Sequence, residues 1–151
     1  MKIKRAVMAD TEGIYSLVEQ YADQGLLLHR TRASIYEHLQ CFFVAVGEDG
    51  EILGATSLHI LDADLAEIRS LVVASEAFGK GIGRDLVNTI IEETKRLGIN
   101  RLISLTYQDI FFEKCGFVRV EKETLSQKMW KDCINCPKLE SCDEIAMQIN
   151  L

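Results

Sequence analysis

Apolar side chains recur along the chain with two different spacings, and these spacings predict its helices and strands. Spacings of three and four residues, the period of an α-helix, predict helices over 10–22 and from a glycine-rich loop at 79–83 to about Leu97, with a brief helix at 34–39. The apolar face of the first helix is formed by Ile14, Leu17, Val18 and Tyr21. That of the helix after the glycine loop is formed by Leu86, Val87, Ile90, Ile91 and Thr94.

Runs rich in β-branched residues and bounded by turn signals predict the strands. Five strands are expected, at 1–7, 41–47, 52–61, 67–73 and 101–106. An antiparallel start followed by a strand–helix–strand crossover predicts an α/β (α+β) fold, with a mixed, mostly antiparallel sheet flanked by helices. Because the chain contains no repeat and no linker, we expect residues 1–151 to form a single domain.

The loop that follows the central strand contains three alternating glycines, Gly79, Gly81 and Gly83. Glycine lets the backbone turn tightly and approach a ligand, and the start of the next helix adds unpaired N–H groups and a positive dipole end. With Lys80 and Arg84 beside them, these features favour a cradle for a pyrophosphate over a plain connection. The loop lacks the Gly-Lys-Ser/Thr of a Walker motif, and its glycine spacing does not fit a dinucleotide-binding fingerprint.

Composition narrows the class of partner. The net charge of −6 argues against nucleic acid and requires that an anionic ligand be held by local basic residues. No apolar run approaches the length of a membrane span and the N-terminus lacks a signal-peptide pattern, so we expect no membrane partner and a cytoplasmic location. The five cysteines, an odd number, agree with reduced thiols in that compartment.

The segment 78–83, Phe-Gly-Lys-Gly-Ile-Gly, resembles the Gln/Arg-x-x-Gly-x-Gly/Ala signature of the GNAT superfamily of acetyltransferases. Phe78 stands where Arg or Gln is usual, which removes one side-chain contact and keeps the backbone role of the glycines. The resemblance implies acetyl-CoA as cosubstrate, with its pyrophosphate on the loop and its pantetheine paired with the backbone at the end of the central strand. The implied cofactor-binding residues are Leu71, Val72, Val73, Phe78, Gly79, Lys80, Gly81, Ile82, Gly83, Arg84 and Phe112.

Acetyl transfer to an amine requires loss of an amine proton, stabilisation of the carbonyl oxygen and protonation of the leaving thiolate. The segment around Glu67 resembles that of histone acetyltransferases in this superfamily, in which the equivalent Glu is the general base; this implies Glu67 as the catalytic base. An ion pair with Arg69 on the same strand face is the alternative. Phe112 replaces the usual family Tyr near the thiol, which leaves Tyr107 or water to protonate the thiolate.

Several segments, in order, resemble bacterial N-acetylglutamate synthases in the short form without an amino-acid-kinase domain. They are 27–31 (Leu-Leu-His-Arg-Thr), 53–58, 66–73, 105–112, 122–130 and the cysteine-containing C-terminus. The resemblance implies L-glutamate as acceptor, in arginine biosynthesis. Arg30 matches an arginine that contacts glutamate in that family, and arginine suits bidentate carboxylate binding; a structural arginine is the alternative. Lys128 stands near the position of another carboxylate ligand, with a solvated lysine as the favoured alternative.

Other candidate groups are assigned no chemistry. Cys133, Cys136 and Cys142 offer three thiolates where a structural zinc site wants four ligands, so we expect free thiols and no metal. His38 and His59 are interpreted as ordinary helix and strand residues. The expected partners are acetyl-CoA and a small amino-acid acceptor; a homodimer is a candidate assembly, and the sequence leaves the oligomeric state open.

Two other functions remain open at this point. One is a GNAT enzyme that acetylates another small amine or a protein N-terminus, against which the pair Arg30 and Arg32 argues because it favours an anionic acceptor. The other is a non-catalytic acetyl-CoA-binding module, which the departures at Phe78 and Phe112 keep open.

Overall fold

A mixed sheet forms the centre of the structure, a computed structural model that describes residues 1–125 and 144–151. Its strands are β1 (Lys2–Arg5), β2 (Phe42–Val46), β3 (Ile52–Asp62), β4 (Leu65–Val73), β5 (Arg101–Thr106), β6 (Val118–Arg119) and β7 (Ile145–Asn150). The helices are α1 (Thr11–Asp23), α2 (Arg32–Glu37), α3 (Ile82–Arg96) and α4 (Asp109–Lys114). The strand order is β1-β2-β3-β4-β5-β7-β6, in which only β4 and β5 pair in parallel among the described strands.

The structure confirms the predicted fold class and the predicted helices and strands, with ends shifted by a few residues. The first strand differs most from its predicted length: it ends at Arg5 and not at Val7, because the chain then enters a 3-10 turn at Met8–Asp10. Two further strands, β6 and β7, and helix α4 were not predicted as separate elements. Strand β7 enters the sheet between β5 and β6, so its place depends on pairing with distant residues.

The two long helices bury their predicted apolar faces against the sheet. Helices α1 and α3 both contact β3 and β4. Fully buried side chains of this core include Ile14, Val18, Phe42, Leu86 and Ile90. None of the helices in residues 1–125 and 144–151 is long and apolar enough to cross a membrane.

The central strand β4 separates from its parallel neighbour β5 partway along its length. Pairing runs from Leu65 opposite Arg101 to Glu67 opposite Ile103 and goes no further. Just beyond, the register of β4 against β3 shifts by one residue, and Ser70 adopts a left-handed conformation with φ 55°. Such a bulge bends a strand and increases its local twist, so the rest of β4 diverges from β5 and a cleft opens between them.

Candidate active site

The cleft between the diverging strands has a volume of about 840 Å³. Strand β4, the glycine loop, the end of β5, helix α4 and the connection between α1 and α2 form its walls. Most of the residues that the sequence singled out line it together: Arg30, Glu67, Leu71, Val73, Phe78, Gly79, Gly81, Ile82, Gly83, Arg84, Tyr107 and Phe112. Val72 is instead fully buried in the core, and the exposed Lys80 does not line the cleft. Lys128 lies outside the described residues.

The glycines of the loop have two different structural roles. Gly79 and Gly81 have φ of 81° and 78°, in the left-handed region that costs other residues about 1–2 kcal/mol. Gly81 is the N-cap of α3, whose first helical bond runs from the amide of Asp85 to the carbonyl of Gly81. Gly83 matters for packing, because a Cβ there would lie 3.3 Å from the Phe111 ring. The loop therefore brings a bare helix start to one end of the cleft, the arrangement that favours phosphate binding.

The two phenylalanines that depart from the family pattern differ in exposure. Phe78 is 61% exposed at the cleft beside the loop. Phe112 is 3% exposed and packs edge-to-face on Phe111 and Phe117, with ring centroids 5.2 and 5.1 Å away. Phe112 thus belongs to the hydrophobic core as well as to the cleft wall, and it offers no polar group to a ligand.

Tyr21, on α1, bonds to the backbone at the open edge of β4. Its hydroxyl donates to the carbonyl of Val73 (3.2 Å) and accepts from the amide of the same residue (3.1 Å). The Tyr21 hydroxyl therefore satisfies both the amide and the carbonyl of Val73, which do not bond to β3. Pantetheine could pair with the backbone of Val73, as predicted, only if Tyr21 moved away. Without that movement, the pairing would involve the backbone of Leu71 only.

Glu67 is buried at the point where β4 and β5 part, and it lines the cleft. Its Oε1 accepts a hydrogen bond of 2.5 Å from Nε of Arg69, which is half-buried on the same strand face. The ion pair that was the alternative interpretation is therefore present in the structure, and the carboxylate also lines the cleft; its role as a base stays a prediction. Only the carboxylate form of this side chain could accept a proton.

Arg30 is held at the acceptor end of the cleft by neutral groups. Its Nε and Nη2 donate to Oγ of Ser34 (3.2 and 3.1 Å), its Nη1 donates to Oγ of Ser70 (3.1 Å), and its guanidinium lies over the Phe42 ring at 5.2 Å. No described residue gives this guanidinium a carboxylate partner. Burial and the nearby Arg69 lower the pKa of Arg30.

The Arg30 guanidinium has two N–H groups without a partner among residues 1–125 and 144–151. His38 Nδ1 lies 3.3 Å from Nη2 but also 2.9 Å from the carbonyl of Ser34, to which it must donate, so it does not accept from the arginine. Of the five N–H groups, one on each of Nη1 and Nη2 then remains. Two N–H groups on a half-buried, uncompensated cation suit a bidentate carboxylate.

Arg32 does not share this site, contrary to the interpretation of Arg30 and Arg32 as a pair. Its guanidinium is exposed, pairs with Glu12 at 2.7 Å and lies over the Tyr15 ring at 4.1 Å. Because α2 begins at Arg32, the two arginines are directed to different surroundings. Of these two arginines, only Arg30 therefore supports an anionic acceptor.

Several polar groups of the cleft were not predicted from the sequence. Ser104 is buried on β5 and lines the cleft where β5 leaves β4. His38 and His59 line the cleft as well, with ring centroids 5.5 Å apart, although the sequence assigned them no role. The available signal was a polar side chain inside an otherwise apolar strand, which is seen at His59 and Ser104.

Cysteines and metal-ligating groups form no built site within residues 1–125 and 144–151. Cys41 and Cys115 are free thiols there, and Cys133, Cys136 and Cys142 lie outside the described residues. Glu19, Asp23 and His29 are close enough to share a cation. Both ring nitrogens of His29 are already directed at the carboxylates, at 3.2 Å from Glu19 and 3.9 Å from Asp23, so this cluster is explained as an exposed ion-pair group.

Comparisons with known proteins agree with this geometry. The acetyltransferase (GNAT) family matches residues 7–117. An uncharacterized N-acetyltransferase from Chlorobaculum tepidum is 41% identical over 96% of this chain and 93% of its own length. The amino-acid acetyltransferase of Mycobacterium tuberculosis is 32% identical over 86% of this chain and 75% of its own length.

Among solved structures, the N-acetylglutamate synthase of Neisseria gonorrhoeae, complexed with coenzyme A and N-acetyl-glutamate, superposes with a TM-score of 0.90 at 27% identity. The match covers 99% of this chain and 35% of that protein, so the chain corresponds to about a third of the synthase. The glycine loop, the parting of β4 from β5 and these similarities lead to one conclusion: the chain belongs to the acetyltransferase (GNAT) family.

Proposed function

We propose that this protein transfers the acetyl group of acetyl-CoA to the amino group of an amino acid, and that the acceptor is L-glutamate. The observation that carries the choice of acceptor is the half-buried guanidinium of Arg30, which has no carboxylate partner among the described residues and two N–H groups to offer. A dicarboxylic amino acid supplies the anion that this cation lacks, and its amine then lies toward Glu67 across the same cleft.

The relatives support this proposal from outside the chain. One is an amino-acid acetyltransferase, and a structural neighbour contains coenzyme A together with N-acetyl-glutamate. A role in arginine biosynthesis is part of the proposal. The cytoplasmic location and the homodimer remain predictions from the sequence.

Residues of the glycine loop and of the start of α3 would hold the pyrophosphate part of acetyl-CoA. The glycine loop and the start of α3 offer backbone N–H groups and a dipole end to a pyrophosphate, with Arg84 at the first turn. Phe78, exposed beside the loop, presents a flat apolar face to this region. Acetyl-CoA supplies an activated acyl group as a thioester when it is bound.

Glu67 is the base in this proposal. An amino acid carries an ammonium near neutral pH, and one proton must leave before the nitrogen lone pair can form the new C–N bond. The Glu67 carboxylate, which is paired with Arg69, takes that proton directly or through a water in this proposal. As the C–S bond breaks, its electron pair stays on sulfur, which takes up a proton; Ser104, Tyr107 and water are the donors on this side of the cleft.

A panel assay tests the proposal. Free thiol release from acetyl-CoA is followed with L-glutamate, L-glutamine, L-aspartate, glycine, spermidine and a peptide with a free N-terminus. We expect L-glutamate to give the highest kcat/KM. Preference for spermidine or the peptide would refute the amino-acid acceptor, and acetyl-CoA binding without turnover of any amine would refute the enzymatic proposal.

A further inference from the structure

His59 is a second polar group beside Glu67 in the cleft. The two residues are direct partners in the antiparallel pairing of β3 with β4. Side chains of such partners share one face of the sheet, with Cβ atoms about 4.5–5.5 Å apart. Both are buried and both line the cleft.

The contacts of His59 determine which ring nitrogen carries hydrogen. Ser57 Oγ lies 3.1 Å from the carbonyl of Arg69 and 2.9 Å from His59 Nε2. The carbonyl of Arg69 accepts from Oγ1 of Thr56 (3.1 Å) as well, and we assign the Ser57 hydroxyl hydrogen to the same carbonyl, which can only accept. With this assignment the contact with the ring is a hydrogen bond in which Nε2–H is the donor. Nδ1 of the neutral ring then has a lone pair and no hydrogen.

Nδ1 of His59 is not fully enclosed by protein atoms. In the described part of the chain every fully buried side-chain nitrogen or oxygen has a hydrogen-bond partner. Nδ1 of His59 has no such bond to a described residue, so the atom is not sealed in the core. His59 therefore presents an acceptor without a hydrogen to the space that Glu67 also faces.

The surroundings keep this acceptor neutral. Burial, then the positive charges of Arg69 and Arg30, then His38, lower the pKa of His59 to about 3. Glu67 is the carboxylate in register across the strand pair, and it is already engaged by Arg69. At neutral pH the ring thus accepts hydrogen bonds but takes up no proton.

We propose that Nδ1 of His59 accepts a hydrogen bond from the amino group of the acceptor and orients its nitrogen for attack, while Glu67 removes a proton from the same nitrogen. This inference rests on the proposed amine acetylation, although not on the identity of the amine. It makes His59 a substrate-binding residue that distinguishes primary amines from secondary ones.

Proton accounting gives the two acceptors separate tasks. A primary ammonium has three N–H groups: one proton leaves to Glu67 before attack, one leaves as the amide forms, and one stays on the amide nitrogen. Of the two lost protons, one balances the charge of the departing thiolate and one goes to solvent. The neutral ring of His59 accepts a hydrogen bond without removing the proton, so it is suited to the N–H that stays on the amide nitrogen. An N-methyl amine keeps none, because both of its N–H groups are lost.

The test compares L-glutamate with N-methyl-L-glutamate, using acetyl-CoA and the full chain. In His59→Leu we expect kcat/KM for L-glutamate to fall about tenfold or more, with the KM for acetyl-CoA unchanged. The preference for L-glutamate over its N-methyl form should fall about tenfold too. His59→Asn, whose Oδ1 can occupy the place of Nδ1, should recover part of both. Ile60→Ala, an exposed change at the next position of β3, is the control.

Each outcome decides the inference. An unchanged preference in His59→Leu overturns it, as do equal losses in His59→Leu and His59→Asn. If His59→Leu does not fold, Ser57→Ala replaces it: a lowered preference supports the role of His59, and wild-type values refute it. If the wild-type protein prefers another primary amine, that amine and its N-methyl form are used, so a wrong acceptor does not affect the test. Absence of turnover with any amine refutes both proposals.

Discussion

Replacement of Arg30 by alanine is the sharpest test of the acceptor site. The guanidinium makes three hydrogen bonds to hydroxyl groups and one contact with an aromatic ring, so its removal leaves none of the described charged groups without its partner. The loss of these contacts is offset by the desolvation cost of a half-buried cation, so the free energy of unfolding should fall by only about 1–2 kcal/mol. The effect should instead appear when the carboxylate binds.

The expected size follows from the burial of the pair. Loss of one partner of a buried, hydrogen-bonded charge pair costs about 2–5 kcal/mol. Arg30 is half-buried and open to the cleft, so the lower end applies: about 2 kcal/mol, or a rise in KM of roughly 30-fold. Arg30→Lys keeps the charge but loses the planar fork and should lie between the wild type and Arg30→Ala.

The assay measures KM for L-glutamate at saturating acetyl-CoA, and KM for acetyl-CoA at saturating L-glutamate. Arg32→Ala is the matched control, because that arginine is two residues away, exposed and paired with Glu12. We expect it to leave both constants near their wild-type values. Small, equal effects of Arg30→Ala on the two substrates, or effects no larger than those of Arg32→Ala, would show that Arg30 is structural.

Three further predictions follow from the geometry. Glu67→Gln should lower kcat by about 10²–10⁴-fold with little change in acetyl-CoA affinity, and part of the loss should return at high pH, where the free amine is abundant; full kcat at every pH would make Glu67 structural. Gly81 and Gly98 both have a positive φ and open space around an added Cβ, so Gly81→Ala and Gly98→Ala should each lose about 1–2 kcal/mol of stability. Calorimetry should show weaker acetyl-CoA binding for Gly81→Ala and unchanged binding for Gly98→Ala, which serves as the control. Because the pKa of His59 is lowered to about 3, the unfolded chain binds a proton below pH 6.5 that the folded chain does not. Stability should therefore fall as the pH drops from 6.5, by up to about 1.4 kcal/mol per pH unit from this group, and urea unfolding of His59→Leu should lack that part of the slope.

The sequence alone determined the main elements, the fold class and the family. Periodic apolar positions specify α1 and α3 because burial of one face stabilises a helix wherever the sheet lies. The glycines of the loop were readable for a similar reason, since a positive φ at Gly79 and Gly81 is a local requirement of the backbone. Glu67 and Arg30 were identified through resemblance, and the structure brings both to one cleft.

Tertiary structure alone decided which polar groups meet. The bulge at Ser70 and the parting of β4 from β5 arise from strand pairing, which a local pattern does not specify. Arg30 and Arg32 differ in role because α2 begins at Arg32, which pairs with the exposed carboxylate of Glu12, whereas Arg30 precedes the helix and lines the cleft. His59 was unremarkable as a residue of a strand. Its importance comes from the register that sets it opposite Glu67 and from its contact with Ser57, and both depend on residues brought together only by the folded sheet.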